Sequence, residues 1–215
     1  MITLKLTDPI KYIEGKVNSS LAKLLNERLY SKLGIIKNDL SALVDGWIRE
    51  QPEIKSLLSR DPSSLAGHFG IPSGQADNSV EAIIVAIQQT ISYKFNKFND
   101  SLEGSLLFVC QPTSFSNVLS ISSGHVNYNN GKENVDLHWL DWLINRGDSI
   151  IVSDYEYKAA VGTGRSNLGT MKIGTSFRVP SAYSGTEDNN FITRALNGPT
   201  QYDKVTKLLT KHILS

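Results

Sequence analysis

The tightest cluster of titratable side chains in this 215-residue sequence is Asp136, His138 and Asp141, with Asp148 close behind. Placed on one helix, His138 and Asp141 stand three residues apart and share a face, and a carboxylate that orients an imidazole is half of an acid–base pair. One functional class follows: a small hydrolase using His138 with Asp136 or Asp141. No neighbouring motif supplies the nucleophile. Trp139 and Trp142 interleave with these residues at amphipathic spacing, so a solvated polar face beside a packed aromatic face accounts for the same pattern. His68, His125 and His212 are scattered at no ligand spacing, and neither a metal nor any other cofactor is expected.

Two further segments invite a chemical reading. GTGRSNLG at 162–169 resembles a phosphate-binding loop only in outline, because the closing Gly-Lys-Ser/Thr is missing and no apolar strand and periodic helix frame it. Lys158, Arg165, Lys172 and Arg178 lie close enough in sequence to form a basic strip on a sheet, which would make the chain a nucleic-acid-binding module with salt-dependent affinity. Few aromatic residues are spaced among them for base stacking. Arg146-Gly147-Asp148 reads as the end of a helix: an arginine followed by a terminating glycine. The single cysteine, Cys110, excludes an intrachain disulfide and sits in the apolar run LLFVC as an inert buried thiol.

These residues need elements to position them, and two regimes of apolar spacing follow one another. From Asp8 to about Asn99 the spacing is helical. Ile10, Ile13, Val17, Leu21 and Leu24 form one run, and Leu40, Leu43, Val44, Trp47 and Ile48 another. Pro52 and Pro62 open short helices, the second closed by Gly70. A longer helix is predicted from Asn78 or Ser79, carrying Val80, Ile83, Ile84, Ile87, Ile91 and Phe98 on one stripe. After Asn99 the runs shorten to strands: 105–110, 117–122 and HVNYNNG, with a hairpin signal at Asn130-Gly131. VDLHWLDWLINRG interrupts them as a helix burying Trp139, Leu140, Leu143 and Ile144. SIIVS, EYKAAV, TMKIG and SFRVP follow as strands, and a helix over about 202–213 closes the chain. The expectation is an α+β protein, with a helical region at 1–100 and a β-rich region with glycine-rich loops at 101–215, the two sharing a core or standing apart.

Composition limits the class. Lys plus Arg number 22 against 21 Asp plus Glu, so no overall field draws the chain to nucleic acid or to an anionic membrane. No window approaches 18 consecutive apolar residues, and MITLKLTDPIKYIEG lacks a basic region followed by an apolar one, so neither a membrane span nor the usual secretion signal is expected.

The segment 155–196 is glycine-punctuated and rich in arginine and aromatic residues, with almost no apolar periodicity. Phe177, Tyr183 and Phe191 can pack into the chain's own core with Arg178 and Arg194 solvated, and Asp188 or Asn189 can cap a helix over FITRAL. Alternatively, Tyr, Phe and Arg on flexible loops make interface anchors, and the loops would be mobile until neighbouring subunits order them. WLDWLINRGDSIIVSDYEY followed by GRSNLGTMKIGTSFRVPSAYSGTEDNNFITRAL resembles the carboxyl-terminal pattern of tailed-bacteriophage virion structural proteins of the neck and tail-completion region. The pattern is met by Gly164, Arg165, Ser166, Gly169, Met171, Val179, Pro180, Gly185, Thr186, Asn190, Ile192, Thr193, Arg194 and Ala195. Such proteins often carry tryptophan before the Arg-Val-Pro, where this chain has Phe177. The resemblance implies a non-catalytic, homo-oligomeric ring component joining head and tail. Its partners would be other copies of itself and neighbouring head, neck or tail proteins, with incidental proximity to DNA and no membrane. It would be made in the host cytoplasm and reside in the virion. Arg165, Phe177, Arg178, Tyr183, Asn190 and Arg194 are the expected contact or loop-fixing residues.

Overall fold

The computed structural model describes residues 7–72, 74–110, 114–129 and 134–214. It is an α+β fold. Four helices come first: α1 (Ile10–Arg49), α2 (Pro52–Leu58), α3 (Leu65–Phe69) and α4 (Gln75–Gln89). The hairpin β1 (Ser92–Asn96) and β2 (Ser105–Val109) follows, then α5 (Ser116–Leu119) and a single 3-10 turn at Ser122–Gly124. β3 (Val126–Asn129), β4 (Asn134–Leu137) and α6 (Trp139–Ile144) lead into the long ribbon β5 (Ile150–Ala159) and β6 (Gly169–Arg178). α7 (Phe191–Leu196) and α8 (Pro199–Leu214) end the chain. Among the described residues each strand pairs only with its neighbour in sequence, antiparallel, giving three separate two-stranded sheets.

Sheets of two strands cannot bury enough to stand alone, so a helical core must hold them. One cluster of buried side chains runs from Val44 and Trp47 of α1 through α2, α3 and α4 to Trp139, Leu140, Leu143 and Ile144 of α6 and Phe191, Ile192 and Ala195 of α7. The helical region and the β-rich region therefore share one core. Asn26 of α1 fixes the first hairpin from outside, its amide donating to the Phe98 carbonyl at 2.9 Å while its side-chain oxygen accepts from the Phe98 N–H at 2.8 Å.

Several local expectations are corrected. α1 is one helix of 40 residues that runs through Gly34 without a break, since a glycine inside a helix costs only about 1 kcal/mol when the flanking turns are good. α4 begins at Gln75 and stops at Gln89. Ile91 and Phe98 fall outside it, because Tyr93 and Phe95 alternate on one face of β1 opposite Phe108 and Leu106 of β2. Part of the expected strand at 117–122 is the short helix α5. Val135 to Leu137, read as the start of a helix, belong instead to strand β4, paired with β3. SIIVS and EYKAAV join into the single strand β5, and TMKIG and SFR into β6, with the register slipping twice, at Ile150/Val152 and Ser153/Tyr155. The Asn130-Gly131 turn signal lies outside the described residues.

Candidate functional site

The acid–base cluster is built where β4 hands over to α6. His138 ends that link, and its ring stacks on His125, which precedes β3, with centroids 3.9 Å apart and planes 13° from parallel. Asp136 turns to His125, whose Nδ1 lies 2.9 Å from its carboxylate. Asp141 turns to Arg146 and Asn145, accepting from Arg146 Nε at 2.6 Å and from Asn145 Nδ2 at 2.8 Å. Neither carboxylate is hydrogen-bonded to the His138 ring, whose Nε2 is buried and unbonded among the described residues, as is Ser123 Oγ. The predicted pairing of His138 with Asp141 on one helical face does not form, because His138 precedes the helix and Asp141 lies within it. A general base must reach its proton from within hydrogen-bonding distance, and this imidazole edge is closed to solvent.

Burial holds the His138 imidazole below its ordinary 6.5, the adjacent His125 pushes the same way, and the carboxylates of Asp141 and Asp136 only partly oppose them. His68 on α3 is also held below 6.5 by burial, against the effect of its contact with the Ser64 carbonyl at 2.9 Å. A histidine whose folded-state pKa is depressed binds fewer protons folded than unfolded. Its contribution to stability is complete above about pH 6.5 and is lost as the pH falls below that value. Thermal melts from about pH 8 to about pH 5.5 should show Tm falling only in the acid half, less so after His68→Phe and His138→Phe together. A Tm that rises on acidification in this window would refute the assignment.

The glycine-rich segment packs on the chain's own helices, contrary to the expectation that neighbouring subunits order it. The Tyr157 hydroxyl of β5 donates to the Pro62 carbonyl at 2.8 Å and fits against Gly67 and Gly169, where a Cβ would collide with it. Burial pushes the Tyr157 phenol up. Arg165 reaches the end of α3, donating to the Phe69 carbonyl at 3.4 Å and lying over Gly70. Gly70 has a φ of 64° there, the left-handed conformation of a helix C-cap. Between α3 and the ribbon remains a cleft of about 400 Å³, lined by His68, Tyr155, Tyr157, Arg165, Met171 and Phe177 among others. Its walls are mainly aromatic and apolar.

The six predicted contact residues divide by place. Phe177 is buried, its ring 6.4 Å from that of His68. Asn190 is fully buried and caps α7: its Oδ1 accepts from the Ile192 and Thr193 N–H groups at 3.0 and 3.1 Å while Thr193 Oγ1 accepts from the Asn190 N–H at 2.8 Å. The cap is therefore Asn190 and not Asp188 or Asn189. Arg194 pairs with Glu53 of α2 and donates to Asn189. Tyr183 is half-buried against the core. Arg178 faces outward, 3.9 Å from Asp148. Arg165, Asn190 and Arg194 thus fix loops and helices within the chain, and Arg178 is exposed beside Asp148. Of the basic strip, Lys158 pairs with Glu156 at 2.7 Å, Lys172 stands opposite Glu156 across the ribbon, and Arg165 turns toward α3. Spacing gave no hint of Glu53 or Tyr157, whose partners lie far along the chain, or of His125, whose partners Asp136 and His138 lie beyond strand β3.

No group of three or more His, Cys, Asp or Glu side chains able to hold a metal occurs among the described residues. None of their helices is long and apolar enough to cross a membrane. Comparison with protein-family models, curated proteins and solved structures found no match.

Proposed function

We propose that this chain is a non-catalytic structural component of a tailed-bacteriophage particle, a neck or tail-completion protein whose copies form a ring joining head and tail. The resemblance across 139–196 motivates the reading, and the distribution of exposed apolar side chains supports it. Ile173, in the middle of β6, is 84% exposed on a ribbon with two open edges. Leu107 and Val109 are exposed on β2, and Ile10, Val17 and Leu24 on α1. A subunit in a closed ring presents different faces to its two neighbours, and large apolar side chains on three elements provide more partner-adapted surface than an isolated chain needs. The neighbours are other copies and adjoining head, neck or tail proteins, the location is the virion after synthesis in the host cytoplasm, and DNA passes nearby without being read.

Electron microscopy of purified particles labelled through a tag on this chain tests the proposal. The expected density is a ring between head and tail. Its absence from intact particles would overturn the reading, as would hydrolytic activity of the free chain that disappears on His138→Ala.

A further inference from the structure

The first half of α1 carries a second apolar face that, among the described residues, is left exposed except at the half-buried Ile13. Ile10, Ile13, Val17, Leu21 and Leu24 recur at spacings of three, four, four and three, the seam of a packing helix. Ile10 is 71% exposed, Val17 50% and Leu24 59%, and Leu21 is exposed as well. The face that α1 does bury, through Ala22, Leu29, Leu33, Ile36 and Leu40, lies about 130° away around the axis at about 100° per residue. One helix thus has two apolar stripes, and the core of this molecule uses only one.

We infer that the uncovered stripe is a self-association surface, on which α1 of a second copy of this chain packs antiparallel about a two-fold axis near Leu21. Charge at the two ends of the stripe favours this occupant and direction, against a like-charge approach of the two Lys23 side chains near the axis. Glu14 and Arg28 border the stripe seven residues either side of Leu21. Neither side chain has an ion-pair partner within the chain among the described residues. In the antiparallel arrangement Glu14 of each copy falls opposite Arg28 of the other, twice by symmetry, and Val17 meets Leu24 across the seam. Parallel pairing would set Glu14 against Glu14 and Arg28 against Arg28, which repel. A self-complementary patch of this kind is what a two-fold interface requires. The contact joins chains in pairs and does not close a ring, so it stands without the particle reading.

The test uses the purified full-length chain, sized by light scattering and by sedimentation equilibrium. A dimer is expected for the unaltered protein, and a monomer for Leu21→Glu with unchanged far-UV circular dichroism, because Leu21 is not part of the core. Glu14→Arg alone and Arg28→Glu alone should each raise the dimer dissociation constant about tenfold, since each change turns two attractive pairs into repulsive ones. Glu14→Arg with Arg28→Glu should restore the original constant. A monomer at all attainable concentrations, or an oligomer insensitive to Leu21→Glu and to both swaps, would overturn the inference. If Leu21→Glu unfolds the chain, the swap pair decides alone.

Discussion

Arg194→Met should lower the stability of the isolated chain by about 3 kcal/mol, a fall in Tm of about 6–12 °C for a protein of this size. The reason lies on the partner. Glu53 is an acidic residue in the first turn of α2 and only 1% exposed, and Arg194 is the only side chain paired with it among the described residues. Its second carboxylate oxygen, Oε2, is buried and makes no hydrogen bond. Removing the guanidinium leaves a buried charge without compensation, which costs more than the pair contributes when intact. Because Arg194 keeps an exposed outer edge, the lower end of the usual range applies. Glu53→Met with Arg194→Met should recover most of the loss, since apolar side chains of similar length replace both ends of the pair. Chemical denaturation of the three variants checks this. If Arg194 served only contacts between subunits, the single variant would melt like the unaltered chain and only assembly would suffer.

How far the sequence announced this structure depends on the range over which each signal acts. The buried face of α6 was legible, because Trp139, Leu140, Leu143 and Ile144 recur within two turns and all four are fully buried. The starts of α2 and the close of α3 were equally local, set by Pro52 and by Gly70. Misreadings arose where one period imitates another. Ile91 and Phe98 extend the helical stripe of α4 by coincidence, while the alternation of Tyr93 and Phe95 acquires meaning only from β2, across the hairpin. Val135 and Leu137 read as the first turn of a helix until β3 is available as a partner.

The candidate site was the least legible part, since its geometry comes from strand pairing and contacts that no local period announces. His138 was visible as a titratable group, yet its ring partner is His125, and Asp136 belongs to that second histidine. Glu53 and Arg194 are 141 positions apart. Asn190 shows what a closer reading of spacing would have caught: an Asn three residues before Thr193 is a capping pair, while Asp188 and Asn189 lack that partner at the same offset. Four of the residues expected in contact or loop-fixing roles, Arg165, Phe177, Asn190 and Arg194, are tied into this chain. Glycine, arginine and aromatic composition marks close packing of loops whether the packing is within a subunit or between subunits.

Trp139→Ala should cost about 3–5 kcal/mol and should remove the helical and β-rich regions together. Trp139 is fully buried, its ring lies 5.8 Å from that of Phe69 in α3, and its Nε1 donates to the Ser123 carbonyl at 3.1 Å. Truncation opens a cavity at the seam between α3 and α6 and leaves the carbonyl, among the described residues, with only the Ser79 hydroxyl, at 3.3 Å. Trp139→Phe keeps most of the ring contact and loses the hydrogen bond, so its cost should be nearer 1–2 kcal/mol. The unfolding transition can be followed at both ends, by far-UV circular dichroism, to which α1 to α4 contribute most, and by the fluorescence of Trp142 in α6 in a Trp47→Phe background. Because one hydrophobic cluster spans both regions, the two signals should shift to lower denaturant together and remain superimposed. Retention of the helical signal at its original midpoint while the Trp142 signal is lost would mean that α1 to α4 fold by themselves, and the shared core would be refuted.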